Sequence, residues 1–384
     1  MKQGWDKKSL MEIASVSTGK WDANHASEKG DYRFYTCAYD YLYCDTKRFE
    51  GECLILPGNG VNVGEVFYYD GEFDAYQRTY VISDIKILPK YLHYHMLLHW
   101  KALGTKQQYG SATNFIKIGN FKDYEVQYPP LPEQQRIVSI LDEAFATIAK
   151  AKANAEQNLK NAKELFESYL QGVFEKKGDG WEIKPLGEVS KINYGYTEKA
   201  SFDEVGPKFL RITDIQENGV DWETVPYCKC SDKDLPKYKL ETGDIVFART
   251  GATTGKSYLI DNPPNSVFAS YLIRLRMNSI NEFIPEFISY FFQTKTYWDK
   301  INAGISGSAQ GGFNATKLGE LEFHFPKSKE AQLTIVRQLD ALRAETQKLE
   351  AVYQKKIDDL EELKKSVLQK AFAGELKTEN NIAL

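Results

Sequence analysis

A chain of 384 residues, 42% hydrophobic and 27% charged, can form two or more domains with sizeable cores. No apolar run reaches the ~20 residues that span a bilayer, and the first thirty residues hold no apolar leader, which leads to the expectation of a soluble cytoplasmic protein without a membrane partner. Net charge is -4, and neither residues 1–130 (15 Lys+Arg, 16 Asp+Glu) nor residues 180–326 (16 against 19) supplies the basic surplus usual in a nucleic-acid binder.

In chain order, a first α+β unit is expected over 1–130. Its strands are signalled by β-branched and aromatic runs such as Cys53-Leu-Ile-Leu and Thr79-Tyr-Val-Ile. A long helix follows over 131–178, then a second α+β unit over 179–326, with Asp244-Ile-Val-Phe, Tyr258-Leu-Ile and Tyr271-Leu-Ile-Arg-Leu as strand candidates. A second long helix and a tail occupy 327–384. Cys37, Cys44, Cys53, Cys228 and Cys230 are odd in number and irregular in spacing, so reduced, idle thiols are expected.

The helices are copies of one another. Segments 133–174 and 331–372 align without a gap at an offset of 198 residues, placing Ile137-Val138 on Ile335-Val336, Leu141-Asp142 on Leu339-Asp340 and Phe174 on Phe372. Both lack Pro and are rich in helix formers. Apolar residues step by four and three through Ile137, Leu141, Ala144, Ile148, Ala151, Ala155, Ala162, Leu165 and Tyr169, and through Ile335, Leu339, Leu342, Leu349, Tyr353, Leu360, Leu363 and Val367. This is the narrow seam of a coiled coil, and pairing within the chain sets the small side chains of one seam against the large ones of the other.

The repeat extends upstream. Leu10-Met-Glu-Ile-Ala parallels Leu186-Gly-Glu-Val-Ser, Gly19 parallels Gly195, Gly60-x-x-x-Gly64 parallels Gly251-x-x-x-Gly255, and Gly110-Ser-Ala parallels Gly307-Ser-Ala. A shared scaffold with diverged loops is what two readers of different sequences require.

Three stretches invite a chemical reading. Arg249-Thr-Gly-Ala-Thr-Thr-Gly-Lys-Ser257 has three residues between its glycines where a phosphate-binding loop needs four, and it continues into strand-like sequence. Asn262-Pro-Pro-Asn265 lacks the aromatic that stacks on a flipped base in adenine methyltransferases, so a turn is expected. His93, His95 and His99 lie close together, the last two at helical i, i+4 spacing, but Ser289 and Phe291 of the second half fall opposite His93 and His95, which favours a packing helix over a metal site. No catalytic residue, metal site or cofactor site is assigned to this chain.

Tyr128-Pro-Pro-Leu-Pro-Glu-Gln-Gln-Arg-Ile-Val138 entering the first helix, Leu368-Gln-Lys-Ala-Phe-Ala-Gly-Glu-Leu376 closing the second, and Gly243-Asp-Ile-Val-Phe-Ala-Arg-Thr-Gly251 resemble the specificity (S) subunit of type I restriction–modification systems. The resemblance covers essentially the whole chain. It departs at Phe325-Pro-Lys-Ser-Lys-Glu-Ala-Gln, which lacks the double proline, and at Gly51-Glu-Cys-Leu, which replaces Gly-Asp-Ile. It implies two target recognition domains separated by two long antiparallel helices, reading a bipartite target in double-stranded DNA around an unread spacer. It further implies two methyltransferase (M) subunits that carry S-adenosylmethionine, and motor-nuclease (R) subunits for restriction. The same kind of module in another methyltransferase system, a coiled-coil protein-binding scaffold, and a stand-alone adenine methyltransferase are the alternatives.

DNA contacts are expected from polar and aromatic residues of glycine-rich loops, where side chains can reach base edges. In the first half these are Lys20, Trp21, Asn24, Asn59, Asn62, Tyr76, Arg78, Lys106, Gln107, Gln108 and Asn114. In the second they are Tyr194, Tyr196, Lys199, Arg211, Arg249, Thr253, Thr254, Lys256, Tyr271, Gln310 and Asn314.

Overall fold

Two prolines stop one strand and start the longest element of the chain. Pro130 lacks an N–H, yet its carbonyl accepts from the amides of Glu133 (3.0 Å) and Gln134 (3.2 Å), closing the first helical turn. At the second helix entry Ser328 does this work instead, its hydroxyl accepting from the Ala331 amide (3.3 Å) and donating to Glu330 (2.9 Å). The missing double proline is thus compensated by a serine cap. The resulting helices are Leu131–Glu175 and Lys329–Ala373, each of 45 residues, or about 68 Å of helical rise.

The computed structural model describes residues 4–106, 114–175, 180–216, 219–279, 282–306 and 313–376. Both Gly-Ser-Ala segments lie outside these residues. In chain order the first half holds β1 (Asp6–Ser9), α1 (Leu10–Ile13), β2 (Ser15–Thr18), β3 (Tyr32–Tyr35), β4 (Leu42–Cys44), β5 (Glu52–Pro57), β6 (Phe67–Asp70), β7 (Phe73–Ala75), β8 (Thr79–Ser83), α2 (Pro89–Lys106), α3 (Ile118–Lys122), β9 (Glu125–Tyr128) and α4, the first long helix. The second half holds β10 (Trp181–Pro185), α5 (Leu186–Val189), β11 (Ser190–Tyr194), β12 (Lys208–Leu210), β13 (Ile215–Gln216), β14 (Gly219–Val220), α6 (Leu235–Tyr238), β15 (Ile245–Ala248), β16 (Ser257–Leu259), β17 (Ser266–Phe268), β18 (Leu272–Met277), α7 (Pro285–Phe291), α8 (Lys295–Ser306), α9 (Ala315–Gly319), β19 (Glu322–Pro326) and α10, the second long helix.

The chain divides into one unit of residues Met1–Glu156 with Gln354–Leu384 and a second of Gln157–Tyr353. In each the same scaffold recurs. The first has a four-stranded antiparallel sheet in the order β2-β8-β5-β6, and the second has β11-β18-β15-β16. A strand pair carries the chain to the long helix in both, β1 with β9 and β10 with β19. A parallel pair also recurs, β3 with β7 and β12 with β17. The fold is therefore α+β with an internal repeat.

The first unit's main core joins Leu54, Leu56 and Ile82 of the sheet, Tyr91, Met96 and Trp100 of α2, and Ile137, Leu141, Leu368 and Ala371 of the long helices. The second unit's core joins Phe247, Ile273 and Leu275 to Phe287, Tyr290 and Phe291 of α7 and to Leu170, Phe174, Val336 and Leu339. Each unit thus buries its packing helix against both long helices.

Within the first unit the long helices run antiparallel. Lys152 pairs with Glu361 (2.5 Å), the Lys364 ammonium lies 5.1 Å over Phe145, and Arg136 reaches the Leu376 carbonyl (3.4 Å). In the second unit Arg343 lies 4.7 Å over Phe166, and the Tyr169 hydroxyl donates to Gln338 (3.3 Å).

The expected seam holds at Ile137, Leu141, Ile148, Ala155 and Ala162, all buried. It fails at Leu165 (51% exposed) and Tyr169 (42%), because the buried line continues by steps of four through Phe166, Leu170 and Phe174. Phe166 and Phe174 pack on Tyr290 and on Phe287 and Phe291, so here the helix serves the core of the second unit as well as its partner helix. Leu349 and Leu363 are likewise exposed. No helix among the described residues is long and apolar enough to cross a membrane.

Candidate nucleic-acid interface

The rim of the first unit is assembled from strand ends that are distant in sequence. Trp21 bridges to Tyr76, and its carbonyl accepts from Gln77 N (2.8 Å). The Gly58 amide donates to the Arg78 carbonyl (2.9 Å), and Asn59 bridges to Phe115. Asn62 Nδ2 donates to the Cys37 carbonyl (2.9 Å), and the Asn114 carbonyl accepts from Gly60 N (2.8 Å). Trp21, Asn59, Asn62, Tyr76, Arg78 and Asn114 therefore belong to one connected surface, with Lys20 and Asn24 exposed beside Trp21. The Trp21 indole is held by a hydrogen bond to buried Asp74 (3.0 Å) and by stacking on His25 at 4.1 Å. Lys106 ends α2, whereas Gln107 and Gln108 lie outside the described residues. A cavity of about 350 Å³ opens on this rim, lined by Thr18, Asn59, Gln77, Arg78, Tyr80 and Phe115 among others.

In the second unit Tyr194, Arg249, Tyr271 and Asn314 are brought together. The Arg249 guanidinium lies 4.9 Å over the Tyr194 ring, its amide donates to the Tyr271 carbonyl (3.3 Å), and its carbonyl accepts from Phe313 N (3.0 Å). The Tyr194 hydroxyl accepts from Ala315 N (3.1 Å), while Asn314 caps α9 through Lys317 N (2.8 Å). Tyr271 is 61% exposed. Lys199 and Lys256 are exposed, and Tyr196 packs on Tyr238 with ring centroids 5.0 Å apart. Two expected contacts are committed elsewhere: Thr254 is buried and donates to the Gly251 carbonyl (2.8 Å), and Arg211 forms a fork to Asp214 (3.0 and 2.7 Å). Thr253 is half-buried and Gln310 lies outside the described residues.

The three chemical-looking stretches resolve into scaffold. Gly251–Thr253 forms a single 3-10 turn that runs on to strand β16. The loop is thus followed by a strand and not by the helix that a phosphate-binding loop leads into. Asn262-Pro-Pro-Asn265 is the turn between β16 and β17. His95 is buried in α2 with Nδ1 2.9 Å from the Tyr124 hydroxyl. Among the described residues no group of three or more His, Cys, Asp or Glu could hold a metal. The cysteines are free, and burial pushes the thiols of Cys53 and Cys228 up to about 11 and about 12, so both are protonated at neutral pH.

The Gly243-Asp244 motif is also structural. Asp244 is 1% exposed, accepts from the Glu241 amide (2.9 Å) and pairs with Arg276 (2.6 Å), anchoring the start of β15.

One cluster went unread in the sequence. Arg33 sits 4.2 Å over Tyr41 and 4.3 Å over Tyr69, and bonds the Tyr35 hydroxyl (3.3 Å); Tyr43 (45% exposed) packs on Tyr41 at 5.6 Å, and Tyr39 (70% exposed) on Phe67 at 5.4 Å. The density of tyrosine in Tyr32-Arg-Phe-Tyr-Thr-Cys-Ala-Tyr-Asp-Tyr-Leu-Tyr43 was the available signal.

Two copies of one scaffold, each presenting its own polar and aromatic rim, define a duplicated recognition protein. The chain belongs to the family of the type I restriction modification DNA specificity domain, whose model matches residues 2–161 and 178–359. It is 25% identical over 408 residues to the type I restriction enzyme EcoDI specificity subunit of Escherichia coli, covering 97% of this chain and 88% of that protein. It is 28% identical over 285 residues to the EcoKI specificity subunit of Escherichia coli (strain K12), covering 70% of this chain and 61% of that protein. The fold is shared with a chain solved in work on complex assembly and conformational transition of the type I R-M system (TM-score 0.75, 17% identity, 98% of this chain and 99% of that one). It is also shared with the HsdS subunit from Thermoanaerobacter tengcongensis (TM-score 0.57, 16% identity, 98% of each chain).

Proposed function

We propose that this chain is the sequence-reading, non-catalytic subunit of a cytoplasmic type I restriction–modification complex. Each unit reads one block of a bipartite target in double-stranded DNA through the rim described above. Two methyltransferase subunits bind S-adenosylmethionine and methylate adenine, and motor-nuclease subunits join for restriction.

The observation that carries this reading is a constant clamp beneath a variable rim. In the first unit Gln134 accepts from Leu88 N (2.9 Å) and donates to the Pro129 carbonyl (2.8 Å). In the second, Gln332 accepts from Ile284 N (3.0 Å) and donates to the Pro326 carbonyl (3.0 Å). The scaffold contacts are kept, while the places held by Thr18, Gly58 and Arg78 on the first rim are held by Tyr194, Arg249 and Tyr271 on the second. A reader that changes its target while keeping its seat has this arrangement.

Co-expression with a matching adenine methyltransferase subunit, followed by genome-wide mapping of methylated adenines, tests the proposal. A split motif of two short blocks around a fixed gap is the expected result. An assembled, cofactor-loaded complex that methylates nothing would overturn it. Because neither half carries a basic surplus, and phosphate neutralisation supplies most non-specific affinity, the lone chain is expected to bind DNA poorly and the complex far better.

A further inference from the structure

The hydrogen-bond register identifies which residues replace one another on the two rims. Gly58 donates to the carbonyl of Arg78 and accepts from Ile116 N, both at 2.9 Å. Arg249 donates to the carbonyl of Tyr271 (3.3 Å) and accepts from Phe313 N (3.0 Å). Thr18 pairs with Tyr80 as Tyr194 pairs with Ile273. Gly58 and Arg249 thus hold one place, Arg78 and Tyr271 a second, and Thr18 and Tyr194 a third. Each rim carries one arginine, but from a different strand. Where the second unit sets Arg249 against Tyr194, the first has only Gly58 beside Thr18, and the cavity of about 350 Å³ opens there with Arg78 on its lip.

Four arginines lie between residues 180 and 326. Arg211 is bound to Asp214 and Arg276 to Asp244, and Arg274 donates to the carbonyls of Lys239 (2.8 Å) and Lys237 (3.2 Å). Arg249 differs. Its backbone is tied at both ends and its guanidinium is stacked on a tyrosine that is itself anchored to Ala315. Its buried Nε has no hydrogen-bond partner, as is also true of Arg274, but unlike Arg274 its guanidinium donates to no carbonyl, and no carboxylate among the described residues pairs with it. The residue is held in place while its donors stay unspent. The terminal nitrogens of the guanidinium are left for a ligand with paired acceptors, to which an ionised donor makes strong bonds.

Resting on the reading above, we propose that Arg249 reads a guanine in the block recognised by the second unit, and that Arg78 reads a guanine for the first unit from the neighbouring strand. The planar guanidinium fork matches the O6 and N7 acceptors on the major-groove edge of guanine. The Tyr194 stack fixes the plane of that fork, so Tyr194 is a positioning residue.

The experiment compares methylation maps of the full complex carrying Arg249→Lys, Arg78→Lys or neither. Lysine keeps the charge that a phosphate contact needs but loses the fork. With Arg249→Lys, discrimination at one guanine of one block is expected to fall roughly 10- to 100-fold, with the other block unchanged. Arg78→Lys is expected to relax a guanine in the other block instead. Unaltered motifs in both variants, at whatever level of methylation, would overturn the proposal. A second arm needs no variant: 7-deazaguanine, which lacks N7, is placed at each guanine of the mapped site in turn, and wild-type binding is expected to weaken at one guanine per block. Insensitivity at every guanine would overturn the proposal even if the lysine variants fail to fold. A wild-type complex with no split motif would instead overturn the underlying reading, so the two failures are distinguishable.

Discussion

The Tyr94 hydroxyl donates a hydrogen bond to the Asp142 carboxylate, tying the packing helix of the first recognition domain to the first long helix. Tyr290 makes the same bond to Asp340 in the second unit. Lys90 adds an ion pair to Asp142 at 2.8 Å. Burial pushes the Asp142 carboxyl up, but the bonds from Lys90 and Tyr94 outweigh it and hold the group below its ordinary range. Replacing Asp142 with Ala removes the acceptor of both bonds at a partly solvated site. The expected cost is about 1–2 kcal/mol, read as a lowered denaturation midpoint.

Gln332 is a stronger determinant because it is fully buried and satisfies three backbone groups: Ile284 N–H and the carbonyls of Pro326 and Glu282, each at 3.0 Å. Gln332→Met keeps the volume and removes all three bonds. A loss of about 2–4 kcal/mol in urea denaturation is expected, and a loss below ~0.5 kcal/mol would show that packing alone seats the domain.

Acid should open the first unit before the second. Burial lowers His93 to about 4 and His95 to about 3, from an ordinary 6.5. For His93, Asp142 opposes that shift while Lys364 and Lys90 reinforce it. A base whose folded value is depressed binds more protons when unfolded, so its stabilising effect is complete above about pH 6.5 and is lost as pH falls towards those folded values. The slope is at most ~1.4 kcal/mol per pH unit for each histidine. The corresponding positions of the second unit, Ser289 and Phe291, carry no such charge. Hydrogen exchange between pH 7 and 4.5 should show protection falling first in α2 and β9; equal loss in α7 would contradict this.

Gly251 and Gly255 should respond differently to substitution. Both have positive φ (77° and 95°), but a Cβ at Gly251 meets open space while one at Gly255 would lie 2.8 Å from Ile301 and Trp298. Gly251→Asn is expected to cost under ~1 kcal/mol and Gly255→Ala about 1–3 kcal/mol or more. Thermal melts of the two variants provide the check.

Much of this protein could be read without coordinates. The long helices follow from local rules: proline at the entry, good helix formers throughout, and apolar residues at steps of three and four. Their ungapped offset of 198 residues reappears in the observed limits, 131–175 and 329–373. The strand runs and the paired glycines were also legible, because positive φ and apolar alternation leave local marks.

Tertiary structure alone decided the rest. Leu165 and Tyr169 fit the seam by spacing but are exposed, because Phe166 and Phe174 turn instead towards α7. Arg211 and Arg249 look alike in the sequence, and only the fold spends one on Asp214 and stacks the other on Tyr194. That Gly58 and Arg249 occupy one place on two rims depends on pairings between strands far apart in the chain. The sequence by itself determined the helices and the duplication, since those follow from contacts between near neighbours and from copying. It could not assign the members of each rim, because long-range strand register is set by how the cores pack.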